Sequence, residues 1–358
     1  MYLKQTKKMI IMRNKIELPG VIYEITTLCN LKCKYCYNYW KKDGKDSLKI
    51  EKINPKKTLK QFMKSVKCDE ITFTGGEPTI NFKELLDCIM YVKSRNKSVT
   101  IITNATLLDD KKIELLSKLK VDLFEITINS YKKEIHEKIN GIKGSFDKTI
   151  ENIKKIQNKG IEVVVPIVIT KYNVKEINKT LEFIHSLGIK RIMVNRYNIG
   201  GNGCNNVEDI LASLEDLKRA YKMCQEFAEK YNTEIYSLVC TPQCVLLPED
   251  YPNIVFSNCE CNNLNREYTL SRDGNIRYCN HSPEIIGNVY DSKMSEILKS
   301  DKLKKWAEIE PVFCKKCTKK ESCQYGCRAA SQQMGYGLEK EDPIVSIYGI
   351  NINKTRNI

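Results

Sequence analysis

Apolar or β-branched runs recur along the first two hundred residues, at Val21–Thr26, Glu70–Thr74, Val99–Thr103, Leu123–Ile128, Ile161–Thr170 and Arg191–Val194. Between them hydrophobic positions return every three or four residues, over Pro55–Val66, Phe82–Ser94, Asp109–Leu119, Ser145–Lys159 and Val174–Leu187. A period-3.6 segment between two short apolar runs is the pattern of a crossover helix joining parallel strands. Six such units predict an α/β chain whose sheet curls into a partial (β/α)6, TIM-like barrel. Ligands in such sheets lie at the C-terminal ends of the strands. Another helical stretch follows at Val207–Tyr231, and after Cys240 segments shorten and cysteines dominate. The expected division is 1–20 as an N-terminal extension, 21–235 as the barrel, 236–338 as a cysteine-rich domain and 339–358 as a tail.

The strand ends carry the polar chemistry. The first opens into Thr27-Leu-Cys-Asn-Leu-Lys-Cys-Lys-Tyr-Cys-Tyr37, with Cys29, Cys33 and Cys36 inside eight residues. A four-iron cubane is normally held by four thiolates, so three leave one iron open. An open coordination position separates a catalytic metal site from a structural one. The second strand ends in Thr74-Gly-Gly-Glu-Pro-Thr79, the third in Thr103-Asn104-Ala105-Thr106, the fourth in Asn129-Ser130, the fifth in Thr170 and the sixth in Asn195-Arg196, then Gly200-Gly-Asn-Gly203. Further on come Cys261-x12-Gly274-x4-Cys279 and Cys314-x2-Cys317-x5-Cys323-x3-Cys327. The second of these, taken alone, has the spacing of a zinc ribbon.

Composition narrows the class. With 358 residues, 42% hydrophobic and 29% charged, the chain fits a globular protein. Its apolar runs are far shorter than a membrane span. The first twelve residues lack an apolar h-region and a small-residue cleavage site, so no signal peptide is expected and a reducing cytoplasm is. There, 16 cysteines point to metal binding rather than disulfides. The formal charge of +15 would suit nucleic acid or an acidic partner. Eleven thiolates around three cubane cores would offset it by roughly −5, and the lysines are scattered over helical segments. No nucleic acid and no membrane are expected as partners; an acidic peptide is compatible.

The cysteine loop with Gly75-Gly76-Glu77-Pro78 resembles the radical SAM (S-adenosylmethionine) family, and the C-terminal array resembles its SPASM extension, together over residues 20 to 335. The resemblance implies that Cys29, Cys33 and Cys36 hold a [4Fe–4S] cluster whose open iron binds SAM. It implies reductive cleavage to a 5′-deoxyadenosyl radical, with an electron from a reductant such as flavodoxin or ferredoxin. Tyr35 is then expected near the adenine. Gly75, Gly76, Glu77 and Pro78 are expected at the methionyl amino group, with Glu77 as a charge-matched acceptor. Asn104, Ser130, Thr170 and Arg196 are expected at the other SAM groups, Arg196 on the carboxylate. One or two auxiliary [4Fe–4S] clusters are implied. Cys261, Cys279 and Cys327 would hold the first with Cys244 as fourth ligand, against Cys259 and Cys240 as competitors. Cys314, Cys317 and Cys323 would hold the second, its fourth ligand open among Asp342, a spare upstream thiol or none.

SPASM proteins mostly modify peptides, so the expected reaction is hydrogen abstraction from a peptide, giving oxidation or a crosslink. Asn280 follows Cys279 where sulfatase maturases have Asp, which disfavours that activity. His281 is the candidate base. About 20 residues precede the first strand, too few for the usual peptide-recognition domain, so leader binding is expected from a separate protein or the SPASM region. The other readings are a radical SAM dehydrogenase of a small molecule and a zinc-ribbon interaction module.

Overall fold

The computed structural model describes residues 15–42, 50–260 and 266–351. An eleven-stranded sheet organises it. In chain order its strands are β1 (Gly20–Thr26), β2 (Glu70–Gly75), β3 (Ser98–Thr103), β4 (Leu123–Ile126), β5 (Glu162–Ile169), β6 (Arg191–Arg196), β7 (Glu234–Ser237), β8 (Ile254–Phe256), β9 (Tyr268–Ser271), β10 (Asn275–Arg277) and β11 (Ile285–Asn288). Their spatial order is β8-β7-β6-β5-β4-β3-β2-β1-β9-β10-β11. All pairs from β8 to β9 are parallel; β9–β10 and β10–β11 are antiparallel. Among the described residues neither β8 nor β11 has a further strand partner, so the sheet is an open barrel wall. Consecutive strands that are spatial neighbours and joined by right-handed crossovers place every crossover helix on one face.

Those helices are α1 (Pro55–Ser65), α2 (Phe82–Lys93), α3 (Asp110–Lys118), α4 (Lys133–Asn140), α5 (Ser145–Asn158), α6 (Ile177–Ser186) and α7 (Leu214–Tyr231). Their starts follow capping chemistry. Asn54 accepts from Lys57 N ahead of Pro55, Asp109 accepts from Lys112 N, and Ser213 accepts from Asp216 N. The Ser213 cap corrects the single helix expected from Val207: a short turn at Val207–Ile210 ends before Ser213 starts α7. Helix α4 has no counterpart in the expected pattern.

Alternation along the strands sorts two faces. Val21, Tyr23, Ile71, Phe73, Val99, Ile101, Phe124 and Ile126 are fully buried under the helices. The opposite, helix-free face keeps Ile22, Ile102, Glu125 and Met193 partly exposed. This open face and the C-terminal strand ends beside it frame the site.

Two domain expectations change. The sheet crosses the expected boundary at 235/236, because β7 and β8 extend one edge while β9 pairs with β1 on the other, Tyr268 against Val21 and Ser271 against Glu24. The expected tail is also partly core: Ile344 and Val345 are buried, and Asp342 is 1% exposed. No helix among the described residues is long and apolar enough to cross a membrane.

Candidate functional site

The loop bearing Cys29, Cys33 and Cys36 leaves the C-terminal end of β1 and is held by its own backbone on three sides. From β2, Gly76 N donates to Thr26 O (2.8 Å) and Glu77 N to Leu28 O (2.7 Å). A Cβ on Gly76 would overlap the Leu28 carbonyl, and one on Gly75 (φ 136°) the Thr26 carbonyl. The glycine pair therefore admits the cysteine loop itself, where sequence reasoning expected it to admit a ligand. From α4, Asn140 O and Ile139 O accept from Lys32 N (3.1 Å) and Lys34 N (3.0 Å). From the Gly200–Gly203 segment, Gly203 N donates to Cys36 O (3.1 Å) and Asn202 Nδ2 to Cys33 O (2.9 Å).

Burial raises the Cys29 thiol to about 12 and pushes the Cys33 thiol well up, each further raised by its neighbouring thiols. Three convergent, poorly solvated thiols are strained as bare thiolates and are relieved by a cation, whose charge inverts that pKa logic. The donor set fits a cluster held by three cysteines with one iron open.

The polar residues at the strand ends serve mostly to brace this loop. Glu77 is buried, and its carboxylate accepts from Thr79 N (3.0 Å), Thr79 Oγ1 (2.5 Å), Thr103 Oγ1 (2.6 Å) and Asn104 N (2.8 Å). It ties β2 to β3, which corrects its expected role as acceptor for SAM's amino group. Pro78 lies in that same turn. Asn104 Nδ2 reaches Asn30 in the cysteine loop (3.0 Å). Ala105 sits at φ 60°. Ser130 Oγ accepts from Lys132 N (3.0 Å), and Thr170 N donates to Asn173 Oδ1 (2.7 Å); both are local turn bonds. Tyr35 lies by the loop, its hydroxyl accepting from Asn129 Nδ2 (3.3 Å).

Arg196 is corrected outright. Its side chain is fully buried and paired with Asp342, and it also donates to Cys240 O (2.7 Å), Tyr197 O (3.1 Å) and Thr241 Oγ1 (3.2 Å). Four of its bonds thus stay within the protein, where sequence reasoning expected a SAM carboxylate. Asp342 in turn accepts from Cys327 N (2.8 Å), so it supports a cysteine segment from behind.

Two features of the site escaped the sequence. The first is a buried chain on α4. Asn140 Oδ1 lies 3.8 Å from Cys33 Sγ and accepts from Asn129 Nδ2 (3.0 Å), while Asn140 Nδ2 meets His136 Nε2 (2.8 Å). Burial lowers His136 to about 4, so the ring is neutral. His136 and Asn140 are four apart on one helix turn, the spacing that could have signalled them. The second is Glu125, mid-strand in β4. The register carries it onto the face of Ile102, Thr100, Thr72 and Ile22, the helix-free face. Burial raises its pKa to about 7. Among the described residues no side chain pairs with it. The Tyr37 hydroxyl feels its charge, as it feels those of Glu24 and Arg277. An acid in an otherwise apolar strand was the available signal.

The C-terminal cysteines form two groups. Cys259, Cys279 and Cys327 lie together, Cys279 half-buried beside the two buried thiols: Arg266 feels the charges of Cys259 and Cys279 and donates to Cys259 O (2.7 Å), and Cys327 feels Cys279. Cys261 lies outside the described residues. Cys244 feels Cys323, Cys314 and Cys317, which moves it away from its expected place in the first group. Cys88 and Cys224 are ordinary core thiols. His281 stacks on Tyr37 and bonds Asn198. Burial, with the charges of Arg196 and Arg277, pushes it down to about 3. The ring bridges the two cysteine regions through its Tyr37 and Asn198 contacts. Gln333 ties the same junction, donating to Tyr37 O (3.0 Å) and His281 O (2.6 Å) and accepting from Gly201 N (2.6 Å). Among the described residues no three His, Cys, Asp or Glu side chains close on a single metal ion.

Residues 23–184 match the model of the Radical SAM superfamily, and 259–328 that of the SPASM iron–sulfur cluster-binding domain. The chain is 29% identical to the antilisterial bacteriocin subtilosin biosynthesis protein AlbA of Bacillus subtilis, over 87% of this chain and 66% of that one, so it spans just under two thirds of that relative. It is 24% identical to the PqqA peptide cyclase of Gluconobacter oxydans, over 92% of this chain and 90% of that one. Among solved structures, anSMEcpe with bound AdoMet and Kp18Cys peptide superposes with a TM-score of 0.68 at 20% identity, over 96% of this chain and all of that one. That likeness establishes the fold.

Proposed function

We propose that this chain, a radical SAM protein with a SPASM domain, is an oxidoreductase that modifies a peptide by hydrogen abstraction, leaving an oxidised or crosslinked product. The observation that carries the reading is the three-thiol loop, pinned on three sides by backbone bonds and offering one ligand fewer than a cubane has irons. When bound, the cluster and SAM supply a 5′-deoxyadenosyl radical after one-electron reduction by a flavodoxin- or ferredoxin-type donor.

The protein's own residues do the rest. Gly75 and Gly76 fix the loop, and the Asn129–Asn140–His136 chain holds Cys33 and Tyr35 in register with α4. Asn104 sets the loop from the β3 side. The partly exposed helix-free face receives the peptide. Glu125 on that face takes the proton released when the substrate radical is oxidised, and its raised pKa suits a base working near neutrality. The C-terminal cysteines would hold auxiliary clusters, which would supply an acceptor for the product electron. The bacteriocin-biosynthesis and peptide-cyclase relatives support a peptide substrate.

The test is anaerobic incubation of reconstituted protein with reductant, SAM and deuterated candidate peptides. Deuterium carried into 5′-deoxyadenosine by wild type, and no nucleoside from Cys29/Cys33/Cys36→Ala, is the expected result. Nucleoside without deuterium from any peptide, alongside deuterium from a small alcohol or sugar, would transfer the assignment to a small-molecule dehydrogenase.

A further inference from the structure

Cys244 sits in a turn after β7, where Val245 N and Leu246 N both bond back to Pro242 O (2.8 and 3.2 Å). That turn is docked on the C-terminal cysteine segment. Gln243 N donates to Cys323 Sγ (3.3 Å), and Ser322 Oγ meets Gln243 Oε1 (3.1 Å). The Pro242 ring lies against Gly326 (φ 70°), where a Cβ would collide with it. Between the two segments lies a cavity of about 60 Å³, lined by Cys244, Cys314, Cys317 and Cys323 together with apolar Leu247 and Phe313.

We infer that Cys244 is the fourth ligand of the second auxiliary cluster, completing a four-thiolate site with Cys314, Cys317 and Cys323. The inference rests on the SPASM assignment and goes beyond it by naming the ligand. A backbone amide aimed at Cys323 Sγ is the hydrogen bond by which proteins tune cluster potentials. Asp342, the carboxylate alternative, is excluded by its place: it is buried against Arg196 and Cys327 N. Four thiolates on four irons close the site. This cluster then exchanges electrons and holds no substrate thiolate.

The experiment compares anaerobically reconstituted full-length wild type, Cys244→Ala, Cys314→Ala and Cys240→Ala by iron and sulfide content, by zinc content and by EPR of the reduced proteins. Wild type is expected to hold about 12 irons. Cys244→Ala is expected to match Cys314→Ala, losing about a third of the iron or showing a three-iron signal, while Cys240→Ala keeps the wild-type content. Full iron and an unchanged spectrum in Cys244→Ala, loss confined to Cys240→Ala, or zinc in place of iron would each overturn the inference. If Cys244→Ala does not fold, alkylation of the wild-type holoprotein decides. Cys244 should be protected together with Cys314, Cys317 and Cys323 and be released with them by chelation; free labelling of Cys244 alone would refute the assignment. Nucleoside formation measured in parallel reports on the N-terminal cluster, so a failure here is separable from a failure of the radical SAM reading.

Discussion

Tyr37 and His281 stack with ring centroids 3.8 Å apart and planes 20° from parallel, so the residue after Cys36 rests on the residue two places after Cys279. This contact sets the N-terminal cysteine loop against the first auxiliary group, and Gln333 bonds to the backbone of both partners.

An offset aromatic pair contributes about 0.5–1.5 kcal/mol beyond the area it buries. Tyr37→Leu and His281→Leu should therefore lower the apparent Tm by amounts that do not add: the double variant should fall less than the sum of the singles. Additive losses would mean that the rings do not couple.

Gly76→Ala should empty the N-terminal site. The added methyl meets backbone, the Leu28 carbonyl, which cannot swing aside as a side chain would. The cysteine loop must shift, at about 1–3 kcal/mol or more. Reconstituted Gly76→Ala is expected to lose about four irons and nucleoside formation, with the auxiliary EPR signals retained. Normal nucleoside yield would contradict the close approach of β2 to the loop.

Glu125→Gln should separate radical generation from product formation. Nucleoside release is expected to survive, while modified product falls at least tenfold. In wild type, product formation should rise with pH through about 7, because the base acts ionised; Glu125→Gln should lose that rise. Stability gives the opposite sign. The folded carboxyl binds its proton up to about 7, whereas the unfolded one releases it near 4.5. Between those values the folded state holds more protons, so stability falls as pH rises. Glu125→Gln should match wild type at pH 4 and exceed it at pH 8 by about 1–3 kcal/mol, read as the difference in urea midpoints.

Breaking the Arg196–Asp342 pair from one side should be severe. Asp342→Asn leaves a buried guanidinium without its counter-charge and weakens the bond to Cys327 N, costing about 3–5 kcal/mol. The double variant Arg196→Leu/Asp342→Leu removes both charges and should be more stable than Asp342→Asn. Equal Tm values for the two would show that the charges are not coupled.

The sequence reached the first six strands because each alternates or runs apolar between helical periods, and Val99–Thr103 against the observed Ser98–Thr103 shows how closely. It missed α4, whose Lys133-Glu-Ile-His-Glu-Lys-Ile-Asn140 offers few apolar positions. It also missed β7 and β8, four and three residues long, which are defined by pairing, β7 with β6 and β8 with β7, more than by their own pattern. At the site, the thiol triad was legible because spacing within one loop is local. The Arg196–Asp342 pair and the grouping of Cys244 with Cys314, Cys317 and Cys323 were not, since the first spans 146 residues and the second 70 or more, joined by tertiary packing alone. Polar residues at strand ends invited a ligand-binding reading, yet Ser130 and Thr170 bond to groups within three residues, and Glu77 is taken up by its own turn and by Thr103 and Asn104 of the next strand end. A short polar side chain at a strand end satisfies loose amides before it meets any ligand.

The pairing of β9 with β1 also sets an order of events during synthesis. Val21 is made early, but its partner Tyr268 follows 247 residues later, about 12–50 s behind at ordinary elongation rates. Throughout that interval one side of β1 is an unpaired edge, able to recruit another nascent chain. The strand that launches the cysteine loop is thus finished only when the SPASM segment emerges. Metal loading before that point would act on a loop whose supporting strand is still half-built, which favours insertion of the SAM-binding cluster after translation.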